Sequence, residues 1–261
     1  LPPPPPGRRQ GSEDMRARVN SRSRLALERR LDTMRADGLD AEGSVAITDS
    51  VSKAVLELVQ EHSPAIVMIA RKAHTNFEHA TLGGEDFAVI RECPVPVWVV
   101  HPSKHGGDKI VGAVGKPEKG DGTSLDDRIL DEVALLAKKL GKESHALHAF
   151  GEAGLVSPLE PAAEDPLDDM GNSRNDARIA GILEFVQAHG VAREHAHIYE
   201  GKLERVLEEE AGPLNVDLIV LGSNRDSRLK RMISGSTTER IIDHVETDVL
   251  IVKRGETRAA P

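Results

Sequence analysis

The sequence predicts two copies of one α/β module, each built on a parallel sheet covered by helices. Three observations carry that prediction. The 261-residue chain repeats itself at a fixed offset, and short aliphatic runs alternate with segments of helical periodicity. Aromatic residues make up only 2% of the composition, so the core must be aliphatic.

The repeat is visible without gaps when the chain is slid against itself by 152 residues. Asn20-Ser21-Arg22 falls on Asn172-Ser173-Arg174, and Gly38 falls on Gly190. The run from Ala65 to Ala70 falls on Asp217 to Gly222, Gly83 on Gly235, and Val97 to Val100 on Val249 to Val252. Coincidence at so many points in one register marks duplication.

The second copy reads as follows. Lys109 to Val114 is a short apolar strand, and Ser124 then caps a helix whose first turn carries Asp126 and Asp127. Leu130, Val133, Ala134, Ala137 and Leu140 recur at helical spacing until Gly141 ends the run. His145 to Phe150 is a second strand, and Gly151 to Gly171, rich in Pro, Glu and Asp, a long loop. A helix from Ser173 to His189 stops at Gly190, followed by a strand from His195 to Tyr199 and a helix from Leu203 to Ala211. The module closes with a strand from Asp217 to Leu221, a helix from Ser236 to His244, and a strand from Asp248 to Val252. Continuous apolar strands separated by helices predict a parallel sheet buried on both faces.

The first copy offers only the later elements. They are a helix from Ser21, a strand near Val45, a helix from Ser52 to Glu61, and a strand from Ala65 to Ala70. A helix from Gly84 to Arg91 and a strand from Val97 to Val100 follow. Under the offset, the counterparts of residues 109–150 precede residue 1, and the prolines of residues 2–6 align with the second copy's loop. The chain therefore reads as N-terminally truncated. An incomplete module spans residues 1–104 and a complete one residues 105–261.

The run from Asp217 to Gly222, then Gly235-Ser236, then Asp248 to Val252, resembles the end of a universal stress protein domain. That family carries Gly-x2-Gly-x9-Gly-[Ser/Thr]. Here Gly222, Gly235 and Ser236 fit, while Arg225 stands in place of the second glycine. The segment from Ile90 to Val100 is similar to the first-domain end of tandem UspE-type members. The resemblance implies a flavodoxin-like, Rossmann-like strand order 3-2-1-4-5 in each module, with any ligand at the switch point between strands 1 and 4. It also implies intrachain pairing of the modules through Val95–Val100 and Asp248–Val252. In nucleotide-binding relatives an aspartate just after strand 1 contacts the ligand, and the matching position here is Gly115.

The candidate binding residues follow from that switch point: Val114, Gly115, Ala149, Leu221, Gly222, Arg225, Gly235, Ser236 and Thr237. A glycine ending a strand admits a ligand where a Cβ would block it. The unpaired N–H groups at the start of the last helix favour an anion, and the Ser236 and Thr237 hydroxyls add donors. ATP or another adenine nucleotide, with Mg²⁺, is the implied cofactor. The competing reading is a vestigial loop followed by an ordinary serine cap. The first copy has Ala70, Ala73 and Gly83-Gly84 at the matching positions, so it is expected not to bind a nucleotide.

Other features read as structural. The glycines of residues 115–122 have phosphate-loop spacing, but Asp121 stands where lysine is required. Arg225, Arg228, Lys230 and Arg231 form a basic, solvated loop. His195 and His197 alternate on a strand without a third ligand at recognisable spacing, so they are expected to face the surface, and no metal site is expected. Cys93, the only cysteine, is expected to be buried and structural.

A net charge of −9 argues against a general nucleic-acid partner, and no apolar run approaches the length of a membrane span. No catalytic triad, HExxH or metal-binding cysteine pair occurs. The expected protein is cytoplasmic and acts in stress resistance by binding a small phosphate-bearing or apolar ligand, or a partner, and not by catalysis. Two alternatives stay open: an ATP-dependent switch with slow hydrolysis, and a carrier of a lipid-like molecule between the modules.

Overall fold

The computed structural model describes residues 7–71, 82–102, 106–115, 124–150, 168–223 and 236–253. Fourteen elements are referred to below. In the first half they are α1 (Gly7–Ala36), α2 (Val51–His62), β1 (Val67–Ala70), α3 (Gly84–Glu92) and β2 (Val97–Val100). The second half has β3 (Lys109–Ala113), α4 (Leu125–Leu140), β4 (Glu143–Phe150), α5 (Asp168–Ala188) and β5 (Ala196–Glu200). It closes with α6 (Leu203–Glu210), β6 (Val216–Ser223), α7 (Ser236–His244) and β7 (Asp248–Lys253). The 152-residue offset carries the bounds of α3 onto those of α7.

The chain divides into two compact units, residues 1–51 and 52–261. In the first, α1 ends at Gly38, whose φ of 84° lets the Leu39 N–H turn back to the Met34 carbonyl at 3.0 Å. The following segment returns along α1. Arg35 Nε donates to the Ala41 carbonyl at 2.9 Å, and a Cβ at Gly43 would stand only 3.0 Å from Leu27 Cδ1.

The second unit contains a seven-stranded sheet in the order β1-β2-β7-β6-β3-β4-β5. Within the second copy this is β5-β4-β3-β6-β7, the flavodoxin-like order 3-2-1-4-5, with every pair parallel. Alternation along the strands sends side chains to two layers. On β6, Leu218 and Val220 join Ile129, Leu130 and Val133 of α4 and Ile182 and Val186 of α5. Ile219 and Leu221 face the other way, with Val206 and Leu207 of α6 and Ile241 and Ile242 of α7. Each such aliphatic side chain contributes about 1.5–3 kcal/mol when fully buried.

The caps explain where the helices begin and end. Ser124 Oγ accepts from the Asp127 N–H at 3.2 Å, and Asp127 Oδ2 accepts from the Ser124 N–H at 2.8 Å, a reciprocal box at the start of α4. Gly141 ends α4 in the left-handed region, as Gly190 does after α5.

The two copies meet where β2 and β7 pair antiparallel, Trp98 opposite Leu250. Asp248 is buried at this seam and accepts from Trp98 Nε1 and from the His101 N–H, both at 2.7 Å. Each copy also reaches across to the other's last helix. Arg71 donates to the Val245 carbonyl at 2.8 Å and the Asp243 carbonyl at 3.2 Å, at the C-terminal end of α7. Buried Lys253 donates to the Ile90 carbonyl in the last turn of α3. Cations at helix C-termini complement unpaired carbonyls and the negative dipole end.

Several sequence expectations need correction. No strand forms near Val45: residues 39–49 lack regular structure. The matching strand β5 is held by its ladder to β4, whereas the first unit, residues 1–51, contains no described strand to pair with residues 43–47. The first helix begins at Gly7 instead of Ser21, and α5 begins at Asp168, inside the segment read as a loop. His195 ends a 3₁₀ turn before β5, and both it and His197 are half-buried, packed against His145 instead of facing the surface. Cys93, by contrast, is fully buried as the sequence led one to expect. The basic loop of residues 225–231 and the glycine-rich turn after Gly115 lie outside the described residues.

Candidate functional site at the ends of β3 and β6

Among the five strands of the second copy β3 is central, flanked by β4 and β6. From it the chain leaves toward one side through α4 and β4, and β6 continues the sheet on the other, so the connections diverge at the strand C-termini. Such a divergence leaves a crevice at the carboxyl end of an open α/β sheet.

Five of the sequence candidates are brought to this edge: Val114 and Gly115 after β3, Ala149 near the end of β4, and Leu221 and Gly222 near the end of β6. Their side chains are not equivalent. Val114 is buried in the layer under α4 and α5, and Leu221 in the layer under α6 and α7, so both are core residues that can offer a ligand only backbone. Ala149 is half-buried. Ser236 opens α7, and Thr237, in its first turn, is exposed. Arg225 and Gly235 lie outside the described residues.

The two glycines have physical reasons of their own. A Cβ at Gly222 would sit 2.5 Å from Leu125 Cδ2 and 3.0 Å from Ile129 Cδ1, so α4 presses directly on the end of β6. A Cβ at Gly112 would meet Ile129 Cγ2 at 2.9 Å, extending the same close approach along β3. At Gly115 the neighbour is polar: its N–H donates to Asp126 Oδ1 at 3.0 Å.

Asp126 is the polar side chain at this crevice that the sequence candidates did not include. It is eleven residues beyond Gly115 and was legible only as a helix-start acid. Being in the first turn of α4 with Leu125 wedged over Gly222, it is carried back onto the end of β3.

A second polar pair lies beside it. His148 on β4 is buried, and its Nδ1 lies 3.0 Å from the Val114 carbonyl, in position to donate to it. Burial depresses its pKa below the usual histidine value; the Val114 carbonyl opposes that shift and the nearby Arg178 guanidinium adds to it. Arg178 comes from α5, with Nη2 3.3 Å from His148 Nε2 and its guanidinium carbon 5.7 Å from the Phe150 ring centroid. Its buried Nε has no hydrogen-bond partner among the described residues.

The opposite end of the sheet has a different character. A cavity of about 680 Å³ lies at the N-terminal ends of β6 and β7, lined by Glu208, Asp243, Glu246 and Thr247 among others. Its carboxylates disfavour a phosphate group.

Comparison with known proteins gives a consistent result. The family model for the universal stress protein family matches residues 2–101 and again residues 120–253. Universal stress protein E of Escherichia coli (strain K12) is 26% identical over 223 residues, covering 83% of this chain and 69% of that protein. A universal stress protein E homolog of Haemophilus influenzae is 22% identical over 246 residues, covering 92% of this chain and 78% of its own. Among solved structures, the functionally unknown protein PA1789 of Pseudomonas aeruginosa PAO1 superposes with a TM-score of 0.73 at 21% identity, covering 88% of this chain and 77% of that one. A universal stress protein of Archaeoglobus fulgidus gives 0.62 at 20% identity, covering 92% and 80%. At these identities the structural likeness speaks for the fold.

Proposed function

The chain belongs to the universal stress protein family, and from that premise we propose that it serves in stress resistance by binding a nucleoside phosphate at the ends of β3 and β6, and not by catalysis. The observation that carries this reading is the Asp126 carboxylate held at the end of β3. The resemblance expects a carboxylate just after that strand, and the sequence has Gly115 there. Asp126 brings one to the same strand end from the first turn of α4.

A carboxylate in this place accepts hydrogen bonds from hydroxyls or an exocyclic amine, so it suits the nucleoside end of the ligand and repels the phosphate end. The phosphates then lie toward the start of α7, where backbone N–H groups and the Thr237 hydroxyl offer donors. A magnesium ion accompanies such phosphates through their oxygens and its own waters.

Calorimetric titration of ATP with Mg²⁺, and of adenosine alone, tests the assignment against Asp126→Ala and Gly235→Val. A charge-assisted hydrogen bond of about 1.5–3 kcal/mol predicts a ten- to hundredfold loss of both ligands in Asp126→Ala. Gly235→Val weakens ATP while sparing adenosine. Binding of neither ligand to the wild-type chain, or ATP binding indifferent to Asp126→Ala, defeats the reading.

A further inference from the structure

We infer that the N-terminal ends of β4 and β5 carry a binding site for a divalent transition-metal ion of the zinc class, with Glu143, His145 and His195 as its protein ligands. The parallel pairing of β4 and β5, Ala146 opposite Ala196, brings together residues some fifty positions apart in sequence. The potential ligand atoms of the three side chains all lie within 4.8 Å of one another. His145 Nε2 is 3.1 Å from Glu143 Oε2, and the His145 and His195 rings stack with centroids 4.1 Å apart.

A tetrahedral ion with bonds of about 2.0–2.2 Å holds its ligand atoms roughly 3.3–3.6 Å apart. The widest separation exceeds that spacing by no more than about 1.5 Å, and turning the half-buried His195 ring out of its stack on His145 brings the three ligand atoms round one ion. Two imidazoles and one carboxylate are a donor set for zinc and its neighbours, not for magnesium or calcium, which take oxygen. The Glu143 carboxylate is exposed, so water is available as a fourth ligand.

The surroundings supply the outer support that metal-bound histidine needs. His145 Nδ1 lies 2.9 Å from His197 Nε2. With the ion on His145 Nε2, the His145 proton resides on Nδ1 and is donated to His197, which fixes the ring. His145 itself is 3% exposed, so its orientation is set by packing. Lys109 is the opposing charge nearby, and its ammonium is tied to Asp108 Oδ1 at 3.0 Å.

This site is separate from the nucleotide reading. His145 lies four residues before Ala149 on β4, about 13 Å from the opposite strand end at 3.3 Å per residue.

The test uses the full chain without a histidine tag, stripped with chelator, titrated with Zn²⁺ by calorimetry and with Co²⁺ by visible absorption. One equivalent of zinc, a tetrahedral Co²⁺ spectrum, and a chelator-reversible rise in unfolding temperature are expected. His195→Ala and Glu143→Gln each abolish that equivalent, and His197→Phe weakens it ten- to a hundredfold. The exposed Glu143→Gln preserves the core, so its result stands even where a histidine variant folds poorly. Absence of saturable zinc binding overturns the inference. So does a zinc affinity within tenfold of wild type in folded Glu143→Gln or His195→Ala, since the ion would then sit among other histidines of the chain.

Discussion

Adding one methyl group at Gly222 places it where α4 meets β6. The Cβ of Gly222→Ala would lie 2.5 Å and 2.6 Å from Leu125 Cδ2 and Cγ and 3.0 Å from Ile129 Cδ1. Carbon atoms pack at about 3.5–4.0 Å, so Leu125 must retreat by roughly 1 Å. Half-buried Leu125 can yield, but Ile129 is 1% exposed and has nowhere to go. Overpacking of this kind costs about 1–3 kcal/mol. Leu125→Ala removes the nearest atoms, so in the Gly222→Ala background it should cost about 1–2 kcal/mol less than in the wild type. Urea midpoints of the four proteins, with m-values checked for constancy, give the coupling directly. A loss below about 0.5 kcal/mol in Gly222→Ala, or strict additivity with Leu125→Ala, would refute the packing argument. The same displacement moves Asp126, the next residue along α4, so under the proposed function nucleotide affinity should fall in Gly222→Ala and recover in the double variant.

Two further predictions concern the seam and the buried histidine, beside the nucleotide and zinc titrations above. Asp248→Ala removes the acceptor of both Trp98 Nε1 and the His101 N–H, and should cost about 2–4 kcal/mol by urea denaturation; a cost under 1 kcal/mol would mean the seam does not depend on it. Because burial lowers the pKa of His148, the unfolded chain binds its proton first as pH falls below about 6.5. Its contribution to stability is therefore intact above that value and is lost progressively toward acid. His148→Gln, which keeps a donor for the Val114 carbonyl, should flatten the change in urea midpoint between about pH 7.5 and about pH 5; an unchanged slope would show that His148 protonates equally in both states.

The parts of the fold that local chemistry determines were legible. α3 and α7 share bounds under the repeat offset, Ser124 and Gly141 delimit α4, and the buried strands stand out as continuous aliphatic runs. The strand near Val45 was misread because its periodicity is local while a ladder needs a neighbour. The site was harder. Val114 and Leu221 were placed at the right strand ends, but only the structure shows that their side chains belong to the core. Asp126 was invisible as a site residue because its approach to Gly115 depends on the angle of α4. The histidine cluster was missed for a related reason: Glu143 and His145 look unrelated to His195 until parallel pairing sets them side by side. A signal did exist, since a strand beginning with a glutamate and a histidine and its parallel partner bearing two histidines could have been aligned from their N-terminal ends.

Trp98 is the only tryptophan in the chain, and it sits half-buried on β2 against Asp248 of β7. Excited at the red edge of the absorption band, where Tyr199 does not absorb, its emission colour reports the environment of a single junction. Circular dichroism, by contrast, averages over every helix. If both signals change at one urea concentration, the joined sheet melts as a single cooperative body. If fluorescence shifts first, the halves part while their helices persist, and the junction is the weakest link in the molecule.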